Sequence, residues 1–302
     1  MVECAGEAKG KVWCLMADLT AIILTKNEEL NIEHCINSVL PVAKRIVVVD
    51  SYSTDRTVEL AKGLGAEVHQ HEFINYARQF RYAMEIADIQ TTWVLRIDAD
   101  ERLTSASAEE INRLCAEHEK TDVNGLILRF EVNFMGRKLR HGGIYPFRKL
   151  LVFKYGKGQI EDKNMDEHIV LSEGRAIETK EDCEHHDYKD LTFYVDKHNW
   201  YASREVQDYL ANQVSSDSLD RSARLKNFIK FKIYYKLPMG TRAHLYYWYR
   251  YYLKLGFLDG REGKIFAFLQ AYWYRFLVDA KIYEAEKNRS QKNAAEQNGG
   301  AR

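Results

Sequence analysis

The 302-residue sequence lacks the features by which several protein classes are recognised. It contains neither GxxxxGK nor GxGxxG, so a glycine loop that cradles phosphate is not expected. No apolar run approaches the roughly 20 residues that a membrane-spanning helix needs. Proline is scarce, with 3 residues, and neither a low-complexity tract nor an internal repeat is present. These absences indicate a globular chain, either one large domain with an appendage or two domains.

The cysteines do not form a recognisable framework. There are 5, an odd number, and none belongs to a CxxC pair: Cys4, Cys14, Cys35, Cys115 and Cys183. Neither a disulfide scaffold nor a zinc knuckle is therefore indicated, which fits a reducing cytoplasm. The apolar patch at residues 12–17 is too short for the core of a signal peptide, and two glutamates precede it. We expect residues 1–18 to form a flexible leader.

Charge is distributed unevenly, although the formal net charge is zero. Residues 221–302 hold 17 Lys and Arg against 6 Asp and Glu, so the rest of the chain carries the opposite excess. The same segment contains 18 of the 37 Phe, Trp and Tyr residues. Such asymmetry predicts two regions with separate tasks. Residues 288–302 have no apolar face to bury and are predicted to be disordered.

Strand and helix patterns alternate through the first hundred residues. Buried strands are predicted at residues 19–24 and 45–49, further strands at residues 66–70 and 93–97, and helices at residues 30–40, 56–64 and 76–89. This order predicts a largely parallel sheet flanked by helices. Short strands are expected at residues 125–132 and 150–153, and helices from about residue 191. We place the end of the core domain near residue 215.

Polar clusters follow three of the predicted strands, at residues 25–29, 50–55 and 98–101. In open α/β sheets, ligands bind beyond the carboxyl ends of the strands. Each cluster is weak evidence by itself, because an acidic residue in this position also caps a helix or favours its N-terminus. Their order and spacing together are far more specific.

The three segments resemble the N-terminal half of the family 2 glycosyltransferases. They read AIILTKNEE at residues 21–29, VVDSYSTDRT at residues 48–57 and LRIDADE at residues 95–101. The resemblance covers roughly residues 19–200, and it is closest to bacterial enzymes that build lipopolysaccharide core or other surface polysaccharides. One departure is Ser51, which stands where many members have a second aspartate. The implied fold is α/β of the GT-A type, Rossmann-like, with a mostly parallel central sheet between helices.

The resemblance also implies an activity and a domain plan. A GT-A catalytic domain is expected at residues 19–215 and a helical, aromatic and basic region at residues 216–287. The implied reaction is the inverting transfer of a hexose from a nucleotide-diphosphate sugar to a lipid-linked or lipopolysaccharide glycan. Within the family a UDP-sugar is the favoured donor.

Several residues are expected to hold the donor. The developing charge of a diphosphate leaving group needs a cation, and Mn²⁺ or Mg²⁺ prefers carboxylate and phosphate oxygens. Asp100 is the predicted direct ligand, and Asp98 is expected to face the ribose or a metal-bound water. The resemblance implies nucleoside contacts by Glu28 and Asp50, in loops that also contain Thr25, Asn27 and Ser53.

Other candidates in the donor half are less specific. Arg78 and Arg81 lie three apart on one predicted helical face, where they either reach the diphosphate or form a solvated surface. In GT-A enzymes a late histidine sometimes completes the metal shell. His185 or His186 fits this role, His168 is the alternative, and a purely structural histidine is the other interpretation.

The acceptor hydroxyl needs a base, because an inverting transfer is one in-line displacement with the base opposite the leaving group. Asp166 and Glu167 stand where family members place that acid. We favour Glu167 as the base, with Asp166 second. Residues 142–146 (GGIYP) form either a loop near the acceptor or a tight turn.

Residues 221–285 are predicted to be helices rich in Lys, Arg, Tyr and Trp. Interfacial helices use these residues, so we expect peripheral attachment to the inner face of the cell membrane. Packing on the sheet domain or in a homodimer is the alternative. Single-stranded nucleic acid also suits interleaved cations and rings, but we expect no nucleic acid partner.

Two other functions stay open from the sequence. A sugar nucleotidyltransferase usually has a glycine-rich signature after its first strand, which residues 25–28 lack. The second is a non-catalytic membrane scaffold on a degenerate GT-A fold. The presence of Glu167 and of the Asp98–Asp100 pair argues against it, because a scaffold does not need these residues.

Overall fold

The computed structural model describes residues 16–161, 167–212 and 238–299, without the side chains of residues 211–212 and 292–299. They form two compact units. Unit 1 contains Ile144–Lys189 and the described residues before 141, and unit 2 contains His141–Gly143 and the described residues from 190 onwards. The predicted boundary at residue 215 and most of the predicted leader lie outside the described residues.

Unit 1 begins with parallel strands that alternate with helices. They are β1 (Leu19–Thr25), α1 (Ile32–Val39), β2 (Arg45–Asp50), α2 (Thr57–Gly63), β3 (Glu67–Gln70), α3 (Tyr76–Ile86) and β4 (Trp93–Asp98). Every predicted strand and helix of this stretch is present. All seven residues of β1 are buried, as expected for a parallel strand that is covered on both faces.

The second half of unit 1 extends the same sheet with antiparallel pairs and with one parallel pair, β6 with β11. Its elements are β5 (Glu101–Arg102), α4 (Ser105–Glu117), β6 (Val123–Phe134), β7 (Arg137–Leu139), β8 (Phe147–Lys154), β9 (Gly158–Ile160), β10 (Ile169–Leu171) and β11 (Arg175–His186). The strand order is β3-β2-β1-β4-β8-β6-β11-β5, with β7 on β6 and a separate β9–β10 pair. This arrangement confirms the predicted α/β fold of the GT-A type.

The core of unit 1 lies on both faces of the sheet. Neighbouring residues of one strand point to opposite faces, so Ile23 packs with residues of α1 and α4, and Ile22 packs with Phe80 of α3. The largest fully buried side chain is Trp93, at the start of β4. The two packed faces fix the direction of the strands, and hence the edge at which their polar ends emerge.

Unit 2 consists of helices, as predicted from residue 191 onwards. They are α5 (Leu191–Asn212), α6 (Thr241–Trp248), α7 (Gly260–Ala267) and α8 (Tyr274–Gly299). A π-helical turn, Tyr249–Leu253, continues α6, and a second one, Phe268–Trp273, joins α7 to α8. Helices α5 and α8 share a small core that includes Val206 and Val278. In the described part of the chain, no helix combines the length and the apolar character needed to cross a membrane.

Helix α8 continues to Gly299 and so includes most of the tail for which disorder was predicted. Its last third is rich in Ala, Glu, Gln and Lys. These residues have high intrinsic helix propensity, so a helix forms there without an apolar face to bury.

Candidate active site

The parallel register brings the predicted polar clusters to one edge of the sheet. Thr25 at the end of β1 pairs with Asp50 at the end of β2. Asp98, at the end of β4, pairs with the residue just before Thr25. On the other side, β11 runs antiparallel to β5 and sets His185 opposite Glu101. The candidate donor residues therefore meet although they are far apart in sequence.

The loops after β1 and β2 are bound to each other through Asp50. This carboxylate is fully buried, and it accepts hydrogen bonds from Thr25 Oγ1 at 3.0 Å, from the Ser53 backbone N–H at 2.8 Å and from Gln70 Nε2 at 3.2 Å. Asn27 adds a link, because its N–H donates to Ser53 Oγ at 2.8 Å. Asp50 thus organises the loops in this structure, and its contact with a nucleoside stays a prediction.

Glu28 joins these loops to the segment after β11. Its carboxylate accepts from Lys189 Nζ at 2.7 Å and from Asn31 Nδ2 at 2.9 Å. Asn31 in turn donates to Asp187 Oδ1 at 2.9 Å. Burial raises the pKa of Glu28 above its ordinary value, and the charge of Asp100 acts in the same direction. Lys189 and Asn31 were not identified from the sequence.

A half-buried lysine neutralises the acidic cluster after β4. Lys149 Nζ lies 2.6 Å from Glu101 Oε1 and 3.1 Å from Asp98 Oδ2. Burial would raise the pKa of Asp98, but Lys149 and Arg96 outweigh it and hold that pKa below its ordinary value. Burial raises the pKa of Glu101. Lys149 was also not identified from the sequence, because nothing distinguishes it from the other basic residues of β8.

His185 is the histidine that faces the predicted metal ligand. Its Nε2 lies 3.5 Å from Asp100 Oδ2, and its buried Nδ1 has no hydrogen-bond partner. The His186 ring packs instead on Tyr188, with ring centroids 4.2 Å apart. The exposed His168 pairs with Glu161 at 3.4 Å. Of the three predicted histidines, His185 is therefore the one that lies beside Asp100.

The residues at this edge would supply two ligands of a divalent ion. Asp100 and His185 offer one carboxylate and one imidazole. Within the described ranges, no group of three or more His, Cys, Asp or Glu side chains is arranged to hold a metal by itself. Mg²⁺ in particular is commonly held by one or two carboxylates together with substrate phosphates and water. The protein alone thus offers two ligands, and the remaining positions would be left to a diphosphate.

The predicted base is buried against an arginine. Glu167 Oε1 accepts from Arg96 Nη2 at 3.0 Å, and the same nitrogen lies 3.9 Å from Asp98 Oδ1. The side chains of Arg96 and Glu167 are 9% and 7% exposed. Asp166, the second candidate base, lies outside the described residues. An arginine inside the otherwise apolar β4 was the one signal from which Arg96 could have been found.

The contacts of the two arginines of α3 involve residues other than the acidic ones described above. Arg78 is exposed, and its backbone N–H is used by the Asn75 cap. Arg81 is half-buried and donates to the carbonyl oxygen of Ile160 in β9 at 3.5 Å. A role for either in diphosphate binding stays a prediction.

The chain is similar in sequence to known glycosyltransferases. The family model described as "Glycosyl transferase family 2" matches residues 20–171, just over half of the chain. An uncharacterized glycosyltransferase of Rickettsia felis is 27% identical over 280 residues, which cover 89% of this chain and 91% of the relative. The lipopolysaccharide core biosynthesis glycosyltransferase LpsC of Rhizobium meliloti is 25% identical over 91% of this chain and 95% of its own.

A solved structure also aligns with most of the chain. The Pyrobaculum calidifontis mannosyltransferase PcManGT, in complex with GDP-Man and Mn²⁺, is 16% identical, with a TM-score of 0.44, and the match covers 95% of this chain and 80% of that protein. A likeness at this level adds nothing to the assignment, which depends on the family model and on the similarity in sequence. The chain is a member of glycosyl transferase family 2.

Proposed function

We propose that the protein transfers a hexose from a nucleotide-diphosphate sugar, with a UDP-sugar favoured, to a glycan carried by a lipid or by lipopolysaccharide. Membership of the family supports glycosyl transfer. The observation that carries the rest is the position of Arg96, whose guanidinium lies between the buried Glu167 and Asp98. One side chain thereby connects the predicted base with the predicted donor site.

In the proposed reaction, Glu167 takes the proton of the acceptor hydroxyl. The hydroxyl oxygen then attacks the anomeric carbon, and the bond from that carbon to the diphosphate oxygen breaks. The nucleoside diphosphate leaves with the electron pair, and the configuration is inverted. Arg96 orients the Glu167 carboxylate, because its Nη2 donates a hydrogen bond to Glu167 Oε1 at 3.0 Å.

Asp100 and His185 are the proposed protein ligands for Mn²⁺ or Mg²⁺. When bound, such an ion supplies charge neutralisation at the diphosphate oxygens. Asp98, which is held by Lys149, is proposed to receive the ribose or a metal-bound water. Glu28, Asp50 and the loops that they organise then form the nucleoside side of the site.

The location of the protein is also a proposal. A glycan on a lipid carrier is presented at a membrane, and the basic excess of residues 221–302 suits an anionic surface. We therefore propose peripheral attachment to the inner face of the cell membrane. Within the predicted attachment region, residues 221–237 lie outside the described residues.

Thermal stabilisation by nucleotides tests the donor site first. The purified protein is heated with UDP, GDP or dTDP, each with and without Mn²⁺. We expect one nucleotide to raise the melting temperature, and the rise to depend on manganese. No shift with any of the three would contradict the donor proposal and favour the non-catalytic scaffold.

Product analysis then distinguishes transfer from nucleotidyl transfer. With the nucleotide-sugar whose nucleotide binds, a glycosyltransferase releases the nucleoside diphosphate. A sugar nucleotidyltransferase instead converts the nucleotide-sugar and pyrophosphate into a nucleoside triphosphate and a sugar phosphate. Formation of the triphosphate would overturn the proposed reaction while leaving the nucleotide site intact.

A further inference from the structure

Residues 241–273 form a helical hairpin in unit 2, which we call the aromatic hairpin. Its first arm is α6 with the π-helical turn after it, and its second arm is α7 with the π-helical turn Phe268–Trp273. The arms run antiparallel: the His244 and Tyr272 rings lie 4.6 Å apart, and the Arg250 guanidinium lies 6.0 Å from the Phe266 ring. The turn between the arms, residues 253–258, is the tip.

The tip displays large apolar side chains to the solvent. Four of its six residues are Leu253, Leu255, Phe257 and Leu258, which are between 44% and 57% exposed. Scattered exposed leucines are ordinary, but a contiguous apolar patch marks a surface that binds something. The tip therefore has the character of a contact surface.

Aromatic side chains lie immediately behind the tip on the first arm. Trp248, Tyr249 and Tyr252 are all about half exposed. Rings with an apolar body and a polar edge are enriched where hydrocarbon meets lipid headgroups. The order along the arm is thus an apolar end followed by a belt of amphipathic rings.

Exposed cations surround this surface. Lys254 lies in the tip, and Arg261 and Lys264 lie on the second arm. Nearby, Asp259 is buried and bound to His141, and Glu262 is only partly exposed. The exposed charge around the apolar end is therefore mainly positive, which is complementary to anionic phospholipid.

Buried polar contacts hold the base of the tip in one conformation. The buried Arg250 donates through Nε to the carbonyl oxygen of Gly142 at 2.6 Å, and the Gly142 N–H donates to the carbonyl oxygen of Lys254 at 2.7 Å. The Asp259 carboxylate accepts from the His141 backbone N–H at 2.8 Å. Leu255 itself has a left-handed backbone, with φ 59°, and strain of this kind is concentrated at functional sites. The apolar side chains are thus presented by an ordered turn.

We propose that the tip of the aromatic hairpin inserts into the surface of an anionic phospholipid bilayer. Leu253, Leu255, Phe257 and Leu258 enter the outer hydrocarbon region, and the rings of Trp248, Tyr249 and Tyr252 lie at the headgroup level. Lys254, Arg261 and Lys264 contact the phosphate groups. The proposal rests on the proposed attachment to a membrane, but it does not depend on the identity of the donor or on the proposed reaction.

A second copy of the chain is the other occupant to weigh against the bilayer. In a two-fold dimer the same patch meets itself, so the three exposed cations of one tip would lie close to those of the other. Like charges brought together across an interface oppose association. A bilayer that contains anionic lipid meets both the apolar end and the cationic rim, and it is therefore the better partner.

Flotation of the full chain with lipid vesicles tests the proposal. We expect binding to vesicles of phosphatidylglycerol and phosphatidylcholine in equal amounts, and much weaker binding to phosphatidylcholine alone. The double variant Phe257→Ser/Leu258→Ser should lower the vesicle-bound to free ratio at least about tenfold, because burial of such side chains contributes to binding. The matched control is Leu30→Ser/Leu40→Ser, which removes two exposed leucines of unit 1 and should bind as the unmodified chain does.

Fluorescence locates the contact. Vesicles that contain brominated lipid should quench the tryptophan emission of the unmodified chain, and the variant Trp248→Phe should lose most of that quenching. Failure of the unmodified chain to bind the anionic vesicles would overturn the proposal. Equal binding by the tip variant would overturn it as well. A dimer in light scattering that the tip variant dissociates would assign the surface to a second copy instead.

The nucleotide shift described above is measured on the same variants. An unchanged shift in the tip variant keeps the two proposals separate, because lipid binding then fails while donor binding remains. Loss of both properties together would identify a misfolded chain. The triple variant Lys254→Ser/Arg261→Ser/Lys264→Ser, which leaves the apolar tip intact, then decides: it should lose the preference for anionic vesicles, and an unaltered preference would overturn the proposal.

Discussion

The carboxyl edge of the sheet in unit 1 and the aromatic hairpin of unit 2 invert the usual distribution of side chains in opposite ways. At the sheet edge, charged groups such as Glu101 and Arg96 are buried in pairs. At the hairpin tip, Leu253 and Phe257 are exposed above a buried polar base. Buried charge is costly unless it is paired, and exposed apolar surface forgoes its burial energy. Local violations of this kind are expected at functional sites, so the two regions are where we expect functions of different chemistry.

Substitution of the predicted base should give the largest effect. Glu167→Gln keeps the size of the side chain but removes the group that accepts the proton. We expect kcat to fall about 10²- to 10⁴-fold, the usual contribution of a general base, while stabilisation by nucleotide is retained. The matched control is Glu178→Gln, which alters a carboxylate of β11 that pairs with Arg148 of β8. This variant should leave kcat close to its original value. Normal turnover by the Glu167 variant would remove that residue from the mechanism.

Substitution at the proposed metal site should be next in size. Asp100→Asn removes a charged ligand, and metal assistance contributes several kcal/mol, which corresponds to about 10²-fold or more in rate. We expect both transfer and the manganese-dependent part of the nucleotide shift to be lost. His185→Gln should weaken the same shift, and His186→Gln should not. If His186→Gln has the larger effect, the assignment from the register of β11 and β5 is wrong.

Removal of Lys149 should affect stability as well as the site. Lys149→Met leaves Glu101 and Asp98 without their shared cation, and an orphaned buried charge costs about 3 kcal/mol or more. Urea denaturation should show this loss in the free energy of unfolding. The double variant Lys149→Met/Glu101→Gln should recover part of it, because the unpaired charge of the fully buried Glu101 is removed. An equal loss in both variants would mean that packing, and not charge, is what Lys149 contributes.

Substitution of Asp259, a buried residue of unit 2, should affect that unit alone. Asp259→Asn weakens the contacts to His141, and the loss of buried hydrogen bonds of this type costs about 1–3 kcal/mol. We expect weaker lipid binding and a lower melting temperature. The rise in melting temperature caused by the nucleotide should keep its original size. A lost nucleotide shift would break the comparison, since the two regions would then not act separately.

The smallest expected effect has the opposite sign. Leu255 has a left-handed backbone, which costs most residues roughly 1–2 kcal/mol and costs Asn less. Leu255→Asn should therefore raise the free energy of unfolding by up to about 1 kcal/mol, while vesicle binding falls. Destabilisation by this variant, measured by urea denaturation, would show that packing of Leu255 outweighs its backbone strain.

The parts of the molecule that could be predicted are those in which local pattern and tertiary structure agree. Strands β1, β2 and β4 are mostly apolar runs, and their polar ends are adjacent in sequence to those runs. β11 was missed because its residues are mostly charged or polar and only Thr179 and Cys183 are deeply buried. Its register with β6 also shifts, and the Glu110 carboxylate accepts the N–H groups of Lys180 and Glu181 there. No short-range signal in the sequence announces such a strand.

The site was predicted in its acidic half and missed in its basic half. Asp98 and Asp100 stand in a recognisable segment, whereas Lys149 and Lys189 reach the acidic groups only through the pairing of distant strands and loops. Arg96 lies in that segment, but its contact with Glu167 is made only in the folded chain. The choice between His185 and His186 illustrates the same limit. Successive residues of a strand point to opposite faces, so one position in register decides which ring lies beside Asp100.

The segment His141–Gly143 has a consequence for any attempt to separate or exchange the two units. It belongs to unit 2, although the chain before and after it belongs to unit 1. Neither unit is thus a single continuous stretch of polypeptide. A fragment that starts at residue 190 would lack the partners of Arg250 and Asp259. Recombination of this enzyme with a relative therefore has to transfer residues 141–143 together with the helices that they hold.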